Sequence, residues 1–334
     1  MKINLRDNEH FKIYGTDTLE GPFHRFNEKE IIKVSSVSAN VAYLAKNSAG
    51  IYALFSTNST IIKVSVKLDQ PPNMVNMSPI GQCGVDIYLF DEKKKEYQMV
   101  GVGKPQLNEV FYEDRLITFN ESSMRKFILY LPLYSSAQEV FLEFSENAVV
   151  KPYCHNNDKR IIFYGTSILQ GGCVSRPGLL YSSIITRELG MPILNFGFSG
   201  SALLEKEVAE IIAKRPSQKL FIIDVVANAR LVLKERLEPF IKEYRKYQKK
   251  TPIIITNRIP FAFDKFDKDL KEELLRLDDY MAKVASQQEN VYFVDVYRMF
   301  KNNVSEITCD TIHLNDYGAY QFAGIMMEIM KKHL

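Results

Sequence analysis

Near residue 155 the hydrophobic pattern of this chain changes its period, and a change of period restricts the fold more than any other feature. Up to about residue 150 there are short alternating or β-branched runs separated by turn residues, among them 61–66, 85–90 and 126–131. Alternation sends every second side chain to one face, and runs at this spacing predict a β-sandwich. Val140 to Phe144 reads as its last strand, and 151–159, with Pro152 and two Asn, reads as a linker. Beyond it, apolar runs at 160–164, 192–196, 220–224, 252–256 and 291–295 alternate with helical faces. Leu204, Val208, Ile211 and Ile212 form one such face, and Phe322, Met326, Ile329 and Met330 another. The pattern predicts two domains, a β-sandwich over 1–155 and a doubly wound α/β domain with a parallel sheet over 156–334. A length of 334 residues agrees, being more than one core usually supports.

Charge and cysteine usage exclude several classes of function. Forty-three Lys plus Arg against forty Asp plus Glu leave a formal charge of +3 with the signs interspersed, so no nucleic-acid partner is expected. The basic run Lys242 to Lys250 contains Tyr244, Tyr247 and Glu243 and reads as a solvated helix face. Apolar runs such as Leu220 to Ile223 are too short to span a bilayer, so no membrane partner is expected. Met1 to Asp7 lacks the apolar core of a secretory signal, and a cytoplasmic location is expected, although a trimmed secreted chain would begin in the same way. Cys83, Cys154, Cys173 and Cys309 are too few and too scattered for a disulfide framework or a zinc ribbon.

Three groups that nucleophilic catalysis requires occur in the order Ser, Asp, His. An apolar strand runs into Gly165-Thr166-Ser167-Ile168, and Asp310-Thr311-Ile312-His313 stands near the C-terminus. An unassisted serine hydroxyl is a poor nucleophile at neutral pH, so it needs an imidazole to take its proton and a carboxylate to orient that imidazole. In a doubly wound sheet, Ser167 would follow the first strand, Gly200 with Ser201 the second, Asn228 the third and the pair Asp310 and His313 the fifth, so that all meet at one edge. Asp and His three residues apart would share one turn of helix.

With these residues in place, the chain resembles the SGNH (GDSL-like) hydrolases, in the branch with an N-terminal β domain and a Gly-x-Asp-Leu-Tyr motif. That motif is Gly84-Val85-Asp86-Ile87-Tyr88 here. The others are Gly165 to Ile168 with Gln170-Gly171-Gly172, Asn195 to Gly200, Asp224 to Asn228, and Asp310 to His313. The resemblance implies a flavodoxin-like α/β domain behind a jelly-roll-like sandwich, with Ser167 as nucleophile, His313 as general base and acid, and Asp310 as its orienter. It also implies an oxyanion hole made by the Ser167 amide, the Gly200 amide and the Asn228 side chain, where losing one donor typically costs about 3 to 4 kcal/mol of barrier. The chain departs from the family pattern at Thr166, where Asp is usual, in its third motif, and at Leu314, where Pro is common. None of these removes a reacting group.

The implied activity is a serine esterase that removes small acyl groups, acetyl foremost, from a small molecule or oligosaccharide. An acyl thioesterase, a lipase-like acylhydrolase and a glycan-binding protein with an inactive hydrolase domain stand beside it. No organic cofactor and no metal are expected, since Cys309, Asp310 and His313 lack a second ligand cluster in the sequence. Arg176, Arg258, Asp86 and Tyr88 are candidate substrate contacts; the bland alternatives are solvation for the arginines and a fold role for the other two. Read alone, Ser167 would be a helix N-cap and Asp310 with His313 caps of the last helix. The sequence sets no oligomeric state.

Overall fold

The computed structural model describes residues 1–300 and 304–334. Ten strands occupy the first half: β1 (Lys2–Asn4), β2 (Lys12–Tyr14), β3 (Tyr52–Thr57), β4 (Ile61–Leu68), β5 (Val85–Asp91), β6 (Glu96–Gly103), β7 (Phe111–Thr118), β8 (Arg125–Tyr130), β9 (Ala137–Phe144) and β10 (Val150–Pro152). They form two antiparallel sheets, ordered β1-β9-β4-β7 and β10-β3-β8-β5-β6, with β2 beside β3. Period-two patterning explains the core. Ile62, Val64 and Val66 of β4 point inward, where they join Phe55, Ile87, Phe127 and Leu129 of the other sheet in one buried cluster. Lys63 and Lys67, on the alternate positions, pair with Glu143 and Glu139 of β9. Each fully buried aliphatic or aromatic side chain stabilises by about 1.5–3 kcal/mol relative to exposure.

Two expectations for this half need correction. The last strand is β10, not β9, so part of the expected linker is paired structure: Val150 sits opposite Thr57 and is buried. Pro152 is tolerated there because β10 is an edge strand and need not donate an N–H inward. Helices Glu28–Ser35 and Ala39–Leu44 also interrupt the strands. The chain divides into two compact units, one of residues 1–27, 45–158 and 174–194, the other of 28–44, 159–173 and 195–334. The early helices thus belong with the second unit, and 174–194 with the first.

The second half contributes a five-stranded sheet of β11 (Arg160–Gly165), β12 (Ile193–Gly197), β13 (Gln218–Asp224), β14 (Ile253–Thr256) and β15 (Val291–Val294). Its order is β12-β11-β13-β14-β15, and β11/β13, β13/β14 and β14/β15 are parallel. Ile161 to Tyr164, Leu220 to Ile223 and Ile253 to Ile255 are buried throughout. Parallel strands covered on both faces read as continuous apolar runs for this reason. Helix Leu233–Arg245 packs through Phe240 and Tyr244, whose rings stack on Tyr164 and Phe221 at 4.9 and 4.4 Å. Among the described residues no helix is long and apolar enough to cross a membrane.

Candidate active site

The chain leaves β11 through Gly165 and Thr166 and enters a four-residue helix, Ser167–Gln170, which Gly171 closes in the left-handed conformation at φ 107°. Thr166, not Ser167, occupies the N-cap position, and it makes no side-chain cap bond. Ser167 is the first residue of the helix and not its cap. Several bonds fix the turn. Phe198 N–H donates to Gly165 O at 2.9 Å, Asn195 Nδ2 donates to Leu169 O at 2.7 Å, and Ser199 N–H donates to Gln170 Oε1 at 2.9 Å. A Cβ on Gly197 would stand 2.3 Å from Gln170 N, so only glycine lets the end of β12 approach the Ser167 helix this closely.

Asp310 and His313 do not share a helical turn. They occupy a tight loop closed by the Thr308–Leu314 bridge and by Cys309 N–H donating to His313 O at 2.8 Å. Thr311 reaches φ 73° within it, and the following helix, Asp316–Met330, is capped by Asn315 instead. The loop folds because Asp310 is an acceptor for its own turn: Oδ1 receives His313 N–H at 2.9 Å. The same carboxylate contacts His313 Nδ1, at 2.8 Å through Oδ2 and 3.0 Å through Oδ1. On the far side of the ring, His313 Nε2 is 2.8 Å from Ser167 Oγ. With the proton on Nδ1, Nε2 accepts from the hydroxyl. The arrangement can move a proton from serine to imidazole while the carboxylate holds the ring.

Gly200 and Asn228 are brought to the same strand ends. Gly200 lies at φ 62°, in the left-handed region, and its amide has no acceptor among the described residues. Asn228, in helix Val226–Ala229 after β13, donates one Nδ2 hydrogen to Ser201 O at 2.7 Å, which ties its side chain to the Gly200 loop. At the end of β13, burial pushes the Asp224 carboxyl up to about 7, against a smaller opposing pull from Thr256.

Three of the four candidate substrate contacts prove to be internal struts. Asp86 is fully buried; it accepts from Arg176 Nη1 at 2.7 Å and from Gly178 N–H at 2.9 Å, and Arg176 also bonds to the Tyr88 hydroxyl. Arg187 stacks on the Tyr88 ring at 4.0 Å and donates to Gly178 O. Asp86 and Tyr88 thus hold the segment 176–178, and neither exposes a surface to a substrate. Burial raises the Asp86 carboxyl, opposed chiefly by Arg176. Arg258 is likewise buried, with Nη1 2.9 Å from Asp264 Oδ2 and its guanidinium 3.9 Å above Phe261. Of the four, only Arg176 keeps a partly exposed side chain. Asp86→Ala is expected to cost about 3–5 kcal/mol, because it strands a guanidinium and an amide in a closed network. Urea unfolding measures this, and a loss under about 1 kcal/mol would refute the strut role.

Comparison with known proteins matches two successive stretches of the chain. Residues 158–331 match the GDSL-like Lipase/Acylhydrolase family, and residues 4–150 match the N-terminus of Esterase_SGNH_hydro-type. A Bacteroides ovatus protein described as a GDSL-like lipase superposes with a TM-score of 0.89 at 28% identity, over 99% of this chain and 97% of that one. The salicylyl-acyltransferase SsfX3 of a tetracycline biosynthetic pathway superposes at 0.78 with 17% identity, covering 99% and 97%. A family two carbohydrate esterase from Clostridium thermocellum, solved with cellohexaose, superposes at 0.60 with 12% identity, covering 85% and 93%. No protein of curated function matches the chain.

Proposed function

Because the chain belongs to the GDSL-like lipase/acylhydrolase family and is an esterase-type enzyme, we propose that it hydrolyses small acyl esters, acetyl esters of a carbohydrate foremost, through an acyl-enzyme on Ser167. Ser167 Oγ attacks the carbonyl carbon as its proton passes to His313 Nε2, while Asp310 keeps the proton on Nδ1. The oxyanion accepts from the Ser167 amide, the Gly200 amide and the second Asn228 Nδ2 hydrogen. As the carbon–oxygen bond breaks, His313 returns the proton to the leaving alcohol, and water then repeats the sequence to release the acid. The observation that carries this reading is the contact of His313 with Ser167 at 2.8 Å on one side of the ring and with Asp310 at 2.8 Å on the other.

We propose likewise that the parallel sheet is flavodoxin-like, as its order 2-1-3-4-5 supports, and that the two antiparallel sheets form a jelly-roll-like sandwich. A carbohydrate alcohol is supported by the fold shared with the cellohexaose-bound esterase. One fold hosts many substrates, so hydrolysis data must decide. A series of chromogenic esters from acetate to octanoate is expected to give the highest kcat/KM at acetate, falling at least about tenfold by octanoate. Acetate should also be released from an O-acetylated oligosaccharide. A rising profile with chain length would replace deacetylation by a lipase-like activity.

A further inference from the structure

Behind the Asp310–His313 loop stands a thiol that its place in the sequence does not announce. Cys173 follows the Gly171–Gly172 turn at φ 71°, and its Sγ is 3.7 Å from Asp310 Oδ2, across 137 residues of chain. Cys309, the neighbour of Asp310 in the chain, carries an exposed thiol. One ligand atom each from Cys173, Asp310 and His313 falls within 4.8 Å of the other two. Around a tetrahedral zinc ion, sulfur, nitrogen and oxygen ligands stand roughly 3.3–3.8 Å apart, so a shift of about an ångström closes this set on one ion.

We propose that Cys173, Asp310 and His313 form an inhibitory Zn²⁺ site built into the triad, the exposed Cys309 thiol, which lies outside this set, turning in as fourth ligand. His313 Nδ1 is the ring nitrogen turned toward Asp310, and it is the one an ion among these groups would take. Ligation there leaves the ring proton on Nε2. Nε2 then donates to Ser167 Oγ and can no longer accept its proton. Asp310, bound to the ion, no longer orients the ring. The two thiols release one proton each to solvent as their bonds to the metal form. Two sulfurs, one nitrogen and one oxygen suit Zn²⁺ and Cd²⁺, whereas Mg²⁺ and Ca²⁺ take oxygen ligands. The inhibitory effect rests on the esterase reading; the ion's binding does not.

Zinc chloride should be titrated against hydrolysis of a chromogenic acetate ester, and cadmium chloride against the full chain without substrate, following the ultraviolet thiolate-to-metal absorption. The expected result is one ion per chain, inhibition reversed by a chelator, and no effect of Mg²⁺ at the same concentration. In Cys173→Ser and in Cys309→Ser, affinity by both readouts should fall at least about tenfold, the loss that even an outer-shell partner can cause. Cys154→Ser, a control at an exposed thiol, should bind as the unaltered chain does. Inhibition or absorption that persists undiminished in Cys173→Ser, or no absorption at all, would overturn the proposal. Absorption that needs Cys173 and Cys309 in a protein that cleaves no ester would uphold the metal site and discard the esterase.

Discussion

Ser167→Ala is expected to lower kcat/KM on an acetate ester by roughly 10⁴- to 10⁶-fold, with little change in stability. Ser167 is the only hydroxyl in contact with His313 among the described residues, so no neighbour can take over the attack. The side chain is small and is not used to cap its helix, hence the expectation for folding. His313→Ala should match this loss, and the double variant should be scarcely slower than either single one, because groups that act as one unit are not additive. Full activity in Ser167→Ala would dismiss the acyl-enzyme. Losses that multiplied in the double variant would mean that the two groups act in separate steps.

Asp310→Asn should be nearly as damaging, about 10⁴-fold in kcat, although it changes neither size nor loop. Oδ1 accepts His313 N–H at 2.9 Å, and an asparagine oxygen would keep that bond. Its NH₂ would then stand where Oδ2 is now, 2.8 Å from Nδ1. Two donors cannot share that contact, so Nδ1 loses its proton and Nε2 gains one. The ring would present a donor to Ser167 Oγ. Nitrogen chemical shifts of the His313 ring should report the exchanged tautomer, while unfolding by urea should stay close to that of the unaltered chain. Activity within tenfold of the original would rule out the orienting role for Asp310. Zinc ligation at Nδ1 would produce the same wrong tautomer without a substitution.

The strands of the parallel sheet were legible because each is a short apolar run, the central ones buried on both faces, and all five lie where the pattern places them to within two residues. Helices Glu28–Ser35 and Ala39–Leu44 were not, since their apolar residues mimic the strand-like runs around them. The loop form of Asp310 to His313 was missed for another reason. Three-residue spacing fits a helical turn and an Asp-capped loop equally well, and the choice is made by the Thr308–Leu314 bridge. Arginines showed the weakest correspondence. Arg258 reads in sequence as a surface cation near a site, yet Asp264 and Phe261 enclose it.

What the sequence determined by itself is the kind of chemistry and the element that carries each group: a serine after the first buried strand, a carboxylate and an imidazole after the last, and glycines where the backbone must turn. Those follow from local rules of period, turn and side-chain reactivity. Only the tertiary structure decided which groups touch. The 2.8 Å contact of His313 with Ser167, the nearness of Cys173 to Asp310 and the burial of Asp86 and Arg258 join residues with no local relation along the chain. The physical reason is that burial and hydrogen-bond geometry depend on which strands become neighbours in a sheet, and no stretch of residues contains that information alone.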